Sequence, residues 1–214
     1  MKLFISLLIL LRAISVMNAT QNINMTIIEQ SFNYLIRYAD INVESIVVIA
    51  DEDYYLSNSF LYEMFSNNAF FKNKIILFLP QSCNKQEFQN VLSKPNSALF
   101  IVFNYDTSKK IHDTFDAITS NNFIEHCWLL VFSDYHDEQG LRNMVSEKTT
   151  LTETDRIRLD SQIYMLSGTY KKGKLYEVYR ACSERSIEIK QIISILNGEI
   201  EELNEEFIWS RRKT

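Results

Sequence analysis

The chain reads SIVVIA over Ser45–Ala50, and three runs of the same kind follow: KIILFL at Lys74–Leu79, ALFIVF at Ala98–Phe103 and CWLLVF at Cys127–Phe132. Each run is almost continuously apolar, whereas a strand with one wet face alternates apolar and polar residues. Continuous apolar runs are typical of strands that are covered on both faces. The runs recur about every 25 to 30 residues, which leaves room for a crossover helix between them. The sequence therefore predicts four parallel strands.

Segments with a helical period lie before and between these runs. Ile28, Phe32, Leu35 and Ala39 fall on one face of the first predicted helix. Four more helices are predicted from Phe60, Leu61, Met64 and Phe65; from Phe88, Val91 and Leu92; from Ile111, Phe115 and Ile118; and from Leu141, Met144 and Val145. Strands that alternate with helices predict an α/β fold, with an open, mostly parallel sheet flanked by helices.

The pattern changes in the last third of the chain. Two further strands are predicted at Ser161–Leu166 and Lys174–Tyr179, and the short glycine-containing segment between them indicates a C-terminal β-hairpin. From Asn197 onward the chain is first acidic and then basic, which predicts a solvated helix or a tether. The predicted organisation is an α/β domain over residues 20–196, followed by an acidic-then-basic segment over residues 197–214.

The first nineteen residues resemble a secretory signal peptide. Lys2 supplies a positive charge, and the apolar run Leu3–Leu11 follows it. This run is shorter than the roughly 20 apolar residues that a membrane span needs. Small residues suited to cleavage lie near Ser15 and at Ala19. We expect residues 1–19 to be removed and the mature chain to be secreted or displayed on the extracellular face of the plasma membrane.

Two N-glycosylation sequons follow, at Asn18 and Asn24. Each can be modified only where it is retained and exposed. Cleavage after Ala19 would remove or crowd Asn18, so Asn24 is the stronger candidate. The alternative is that both sequons arise by chance in an asparagine-rich sequence.

Composition and motifs exclude several classes of function. The net charge is −5, and binding to nucleic acid requires a basic surface. The four glycines form neither of the usual phosphate-binding motifs. The three histidines, His112, His126 and His136, are too far apart in sequence to form a zinc motif. We therefore expect no catalytic activity, no metal and no cofactor.

Three cysteines, Cys83, Cys127 and Cys182, make an odd count for an oxidising compartment. Cys127 lies within an apolar run, which indicates a buried thiol. Cys83 and Cys182 lie at the ends of predicted elements and form the candidate disulfide. A free thiol or pairing between chains remains the alternative.

Polar residues directly follow three of the predicted parallel strands. Asp51, Asn104 and Asp134 each stand beside a tyrosine just past the end of an apolar run. Open α/β sheets bind ligands in a crevice at the carboxyl ends of their strands. These residues are the candidate ligand crevice. The alternative is that they are only turn formers and helix N-caps.

Two short motifs resemble insect ionotropic receptors of the divergent branch, relatives of the ionotropic glutamate receptors. One is Lys174–Arg180 (KLYEVYR), which is similar to the E-[IV]-Y-[KR] strand that closes the small extracellular amino-terminal domain of those receptors. The other is Phe207–Thr214 (FIWSRRKT), which is similar to the W-x-R-R segment that leads into their clamshell ligand-binding domain. The signal-like start and the α/β pattern agree with this resemblance.

The resemblance implies one half of a periplasmic-binding-protein-like lobe pair, acting in ligand sensing or assembly of a chemosensory cation channel. Its partner would be an unknown small molecule or a receptor co-subunit, and the membrane would be reached only through segments after Thr214. The receptors' clamshell, with its glutamate-type ligand residues, would also follow Thr214, so the chain is expected to be a fragment or a remnant. Two alternatives are a free-standing secreted small-ligand-binding protein and a hydrolase built on Asp51 and Asp134.

Overall fold

The structure is a computed structural model that describes residues 25–38, 43–50, 66, 73–94, 97–103, 118–132, 135–148, 157, 161–169, 171–180 and 187–203. In chain order the described elements are α1 (Met25–Tyr38), β1 (Ser45–Ala50), β2 (Ile75–Pro80), α2 (Lys85–Leu92), β3 (Ala98–Val102), α3 (Ser120–Glu125), β4 (Cys127–Val131), α4 (Glu138–Lys148), β5 (Gln162–Gly168), β6 (Lys172–Tyr179), β7 (Glu188–Leu196) and β8 (Glu199–Leu203).

All eight strands form one sheet, in the order β2-β1-β3-β4-β5-β6-β7-β8. The first five strands run parallel, and β5 to β8 follow one another as antiparallel neighbours. The predicted α/β class and the four adjacent parallel strands are therefore confirmed. The sheet is mixed, because the last third of the chain adds strands to the same sheet.

The apolar runs are buried because both faces of the sheet are covered. Side chains alternate along each strand, so successive residues join two separate cores. Within β3, Leu99 and Ile101 lie in one core, whereas Phe100 and Val102 lie in the other. The first core includes the apolar face of α1, which contacts β5, β6, β7 and β8. The second includes buried residues of α2, α3 and α4.

The segment after Asn197 differs from the sequence-based expectation. Residues 199–203 form β8, which pairs with β7, so the predicted helix or tether is wrong for these residues and the sheet crosses the predicted boundary at 197. Asn197 and Gly198 have φ of 51° and 86°, and Leu196 pairs directly with Glu199. Asn-Gly is a strong signal for a two-residue hairpin turn. Glutamates are typical of a solvated segment, but an edge strand also carries charge on its open side.

We expect Gly198→Ala to lower the free energy of unfolding by about 1–2 kcal/mol, because a side chain is disfavoured at positive φ. An added Cβ would also lie 2.8 Å from Cγ2 of Thr26. Urea unfolding followed by circular dichroism measures this change. Asn197→Gly is the matched control, since glycine tolerates the φ of 51° at that position. Equal midpoints for Gly198→Ala and the wild type would contradict the turn.

Candidate functional site

The topological switch point of the sheet lies between β1 and β3. From β1 the chain connects to β2 on one side, and then returns across β1 to β3 on the other side. The register Ile49↔Val102 places the carboxyl ends of β1 and β3 level with each other. Asp51 follows Ala50 at the end of β1, and in open α/β sheets the crevice beyond such ends is where ligands bind.

The three residues of the candidate ligand crevice lie outside the described residues. Asp51 and Asn104 come directly after residues at neighbouring strand ends, and Asp134 comes two residues after Phe132. The structure therefore brings together the strand ends that lead to these residues, and the crevice itself stays a prediction.

Gln81 forms a polar bridge across the switch point. Its backbone N–H donates to the carbonyl of Ala50 at 3.0 Å, and its side-chain Nε2 donates to the carbonyl of Phe103 at 2.8 Å. Because Gln81 follows β2, its side chain passes the end of β1 to reach the chain after β3. Only 5% of Gln81 is exposed, so its amide is buried beneath the carboxyl-end edge of the sheet. We call this buried amide the floor of the edge. Sequence reasoning missed Gln81, since a glutamine after a strand resembles an ordinary turn residue.

A second polar cluster lies at the ends of β4 and β5. The Oγ of the buried Ser167 donates to the carbonyl of His136 at 2.9 Å and accepts from the His136 backbone N–H. The rings of His136 and Phe132 are packed edge to face, with their centres 5.8 Å apart. Asp137 directly precedes α4 and caps its first turn, because its Oδ1 accepts from the N–H of Gly140 at 2.8 Å. These contacts hold the β4–α4 connection over the end of β5.

Two tyrosines line this second cluster. The Nζ of Lys172 lies 3.9 Å from the ring centre of Tyr135, a cation–π contact. The Tyr176 hydroxyl is buried and has no hydrogen-bond partner within the ranges that the structure describes. Burial raises its pKa, and Tyr135, Glu138 and Asp137 raise it further. Tyr176 therefore stays protonated, and its hydroxyl can donate a hydrogen bond to an acceptor that reaches it.

The structure describes only some of the remaining predicted site residues. Asn18 and Asn24 lie outside the described residues. Cys83 is a free, buried cysteine, and burial followed by the charge of Glu87 raises its pKa. Its predicted partner Cys182 lies outside the described residues, so the disulfide stays a prediction. In the part of the chain that the structure describes, no cluster of three or more His, Cys, Asp and Glu could hold a metal ion.

His126 joins structural elements at the opposite end of the sheet. Its Nδ1 accepts from the N–H of Ala98, and its Nε2 donates to the carbonyl of Leu92, both at 3.3 Å. The residue is 2% exposed, and burial lowers its pKa. Both ring nitrogens are used by the backbone in the neutral tautomer, which indicates a structural role for this histidine.

We expect the stability of the protein to fall on acidification below the ordinary histidine pKa of 6.5. The folded state disfavours protonated His126, so below that pH the unfolded state binds more protons. The loss is at most about 1.4 kcal/mol per pH unit from this group, and it continues until the lowered pKa is passed. Urea unfolding from about pH 8 to about pH 5 measures this slope. His126→Gln cannot titrate and should have a shallower profile; identical profiles would contradict the assignment.

Comparisons with protein-family models, with curated proteins and with solved structures find no match to this chain. Within the described ranges, no helix combines the length and apolar content that a membrane span requires. The geometry of the site and the sequence motifs therefore carry the functional argument.

Proposed function

We propose that the chain is the extracellular amino-terminal domain of an insect ionotropic receptor of the divergent branch. In this proposal it recognises a small ligand or a receptor co-subunit at the carboxyl ends of its parallel strands. The signal-like run Leu3–Leu11 and the motifs at Lys174–Arg180 and Phe207–Thr214 support the receptor assignment. The domain performs no catalysis, and its recognition is coupled to gating by the segments downstream.

The observation that carries the recognition function is the switch point between β1 and β3. The strand order β2-β1-β3-β4-β5 is that of a doubly wound sheet, in which ligands bind beyond the strand ends at the point where the order reverses. We take this parallel half as the counterpart of one periplasmic-binding-protein-like lobe, and β5 with β6 as the closing C-terminal hairpin. Gln81 forms the polar floor of this proposed site.

The buried amide of Gln81 leaves few polar groups at the floor for a ligand. One N–H of its Nε2 is bonded to the Phe103 carbonyl and the side chain is almost fully buried, so we expect most specific contacts to come from the residues that follow β1 and β3. Asp51 and Asn104 are the first residues of those segments. They would supply a carboxylate and an amide, which suits a ligand that presents hydrogen-bond donors.

The transcript downstream of Thr214 tests the receptor assignment. We expect the reading frame to continue into a clamshell domain and apolar spans of about 20 residues. A stop codon directly after Thr214, together with free protein in the medium, would contradict the receptor. It would favour the alternative, a free-standing secreted small-ligand-binding protein. The hydrolase hypothesis depends on Asp51 and Asp134, which lie outside the described residues.

We expect insect cells to secrete the chain without residues 1–19 and to glycosylate Asn24. Asn24→Gln should then remove a glycosidase-sensitive shift in electrophoretic mobility, whereas Asn18→Gln is the matched control and should keep it. Mass spectrometry of the secreted protein identifies the new N-terminus. Retention of an unprocessed, unglycosylated chain inside the cell would contradict export.

A further inference from the structure

Arg180 is a buried cation for which the described residues supply no counter-ion. The residue is 6% exposed, and its buried Nε has no hydrogen-bond partner in the described part of the chain. No described residue offers Arg180 an ion pair. A guanidinium N–H that loses its water without gaining a partner is unfavourable, so buried N–H groups of this kind are normally paired in native proteins.

The strand pattern directs nearby acidic side chains away from Arg180. Arg180 directly follows β6, and alternation places it on the same face as Tyr176 and Val178, in the core beneath α4. Glu177 lies on the opposite face by the same alternation. Glu188 does too, because it pairs with Tyr179 and its neighbour Ile189 belongs to the core beneath α4.

Most described side chains around Arg180 are apolar, and the buried Ser161 lies opposite it on β5 when the register is continued. Val178, which precedes Arg180 on the same face, pairs with Ile163 of β5 and with Ile189 of β7, and all three side chains are buried. Within such a lining an anion is attracted more strongly than it is in water, because the local dielectric constant is low. The guanidinium also presents a planar fork that matches a carboxylate.

A second arginine lies on the same side of the sheet, and its charge is already balanced within the chain. Arg142 of α4 donates to the carbonyls of Ile187 and Ile189 at the start of β7, at 3.4 and 2.9 Å. It also pairs with Glu138 at 2.8 Å. Arg142 therefore has its partners, whereas Arg180, across from the start of β7, has none among the described residues.

We propose that Arg180 binds a small organic carboxylate. This site lies where the parallel strands begin, since β6 runs antiparallel to β5 and ends beside the first residues of β5. It is therefore at the opposite end of the sheet from the switch point and goes beyond the recognition function proposed above. The apolar lining favours a carboxylate attached to a short hydrocarbon or an aromatic ring.

Thermal unfolding of the purified chain in acetate, benzoate or phosphate tests this proposal, with chloride of equal ionic strength as the reference. We expect a saturable rise of Tm in acetate and a rise at lower concentration in benzoate. Arg180→Met should weaken the carboxylate response at least tenfold, and Arg180→Lys should keep part of it. Lys171→Met is the charge control, because Lys171 is exposed at the other end of β6, and its response should equal that of the wild type.

Two results would overturn the proposal. The first is a carboxylate response that Arg180→Met leaves unchanged, or a response to phosphate alone. The second is a large fall in Tm of Arg180→Met in chloride, because it would show that a carboxylate of the chain itself pairs with Arg180. An unchanged or raised Tm of Arg180→Met in chloride supports the proposal, since an unpaired buried charge is removed.

Discussion

Trp128→Ala should lower the free energy of unfolding by about 3–5 kcal/mol, the usual cost of truncating a fully buried large aromatic residue. Trp128 is completely buried, and its ring stacks on Phe100 at 4.3 Å with an interplanar angle of 11°. The rings of Phe123 and Trp128 are packed edge to face, with their centres 5.4 Å apart. The Nε1 of Trp128 donates to the carbonyl of Asn122 at 3.1 Å. This residue therefore joins β4, β3 and α3 in one core.

Trp128→Phe is the matched control for this prediction. It keeps an aromatic ring against Phe100 but loses volume and the hydrogen bond to Asn122, so we expect a smaller loss of about 1–2 kcal/mol. Urea unfolding at fixed pH compares both variants with the wild type. Small domains are stable by only about 5–15 kcal/mol, so the unfolding of Trp128→Ala is measured with added osmolyte, which stabilises the folded state. A cost below about 1 kcal/mol for Trp128→Ala would contradict the position of Trp128 in the core.

The contact between Ile27 and Gly173 gives the second large effect. Ile27 on α1 is fully buried, and a Cβ added to Gly173 would lie 2.3 Å from its Cγ2. We expect Ile27→Ala to cost about 2–4 kcal/mol through a cavity, and Gly173→Ala to cost about 1–3 kcal/mol through overpacking. The expected costs follow from the close approach of α1 to the backbone of β6.

A double-mutant cycle makes this prediction specific. Ile27→Ala removes the methyl group that Gly173→Ala would meet, so the double variant should lose at least about 1 kcal/mol less than the sum of the single changes. Urea midpoints and slopes of the four proteins give the coupling energy. Purely additive losses would show that Ile27 and residue 173 do not touch, and would contradict the docking of α1 on the antiparallel half.

The parallel half of the sheet could be predicted from sequence because its strands are buried on both faces. Ser45–Ala50 and Ala98–Phe103 are continuous apolar runs, and such runs are local features of the sequence. β7 could not be predicted from sequence because it mixes charged and apolar residues. The sequence of β8 instead predicts a solvated segment because of its glutamates. The Asn197-Gly198 turn was the available signal for the β7–β8 pair.

The two buried polar residues of the proposed sites could not be identified from sequence. Gln81 and Arg180 resemble ordinary residues at strand ends. They are buried only because distant elements pack around them, and burial of this kind has no local sequence signal. Asp51 and Asn104 are predicted from their position directly after strands, and the sheet order explains why that position matters.

The central claim is that β1 lies between β2 and β3 and so creates a switch point at which a ligand can be recognised. Nuclear Overhauser contacts between backbone protons of an isotopically labelled chain test it directly. We expect Val47 to show contacts to Leu77 on one side and to Phe100 on the other, as the register requires. Contacts from Val47 to one of these strands only, or to neither, would contradict the switch point and the recognition site built on it.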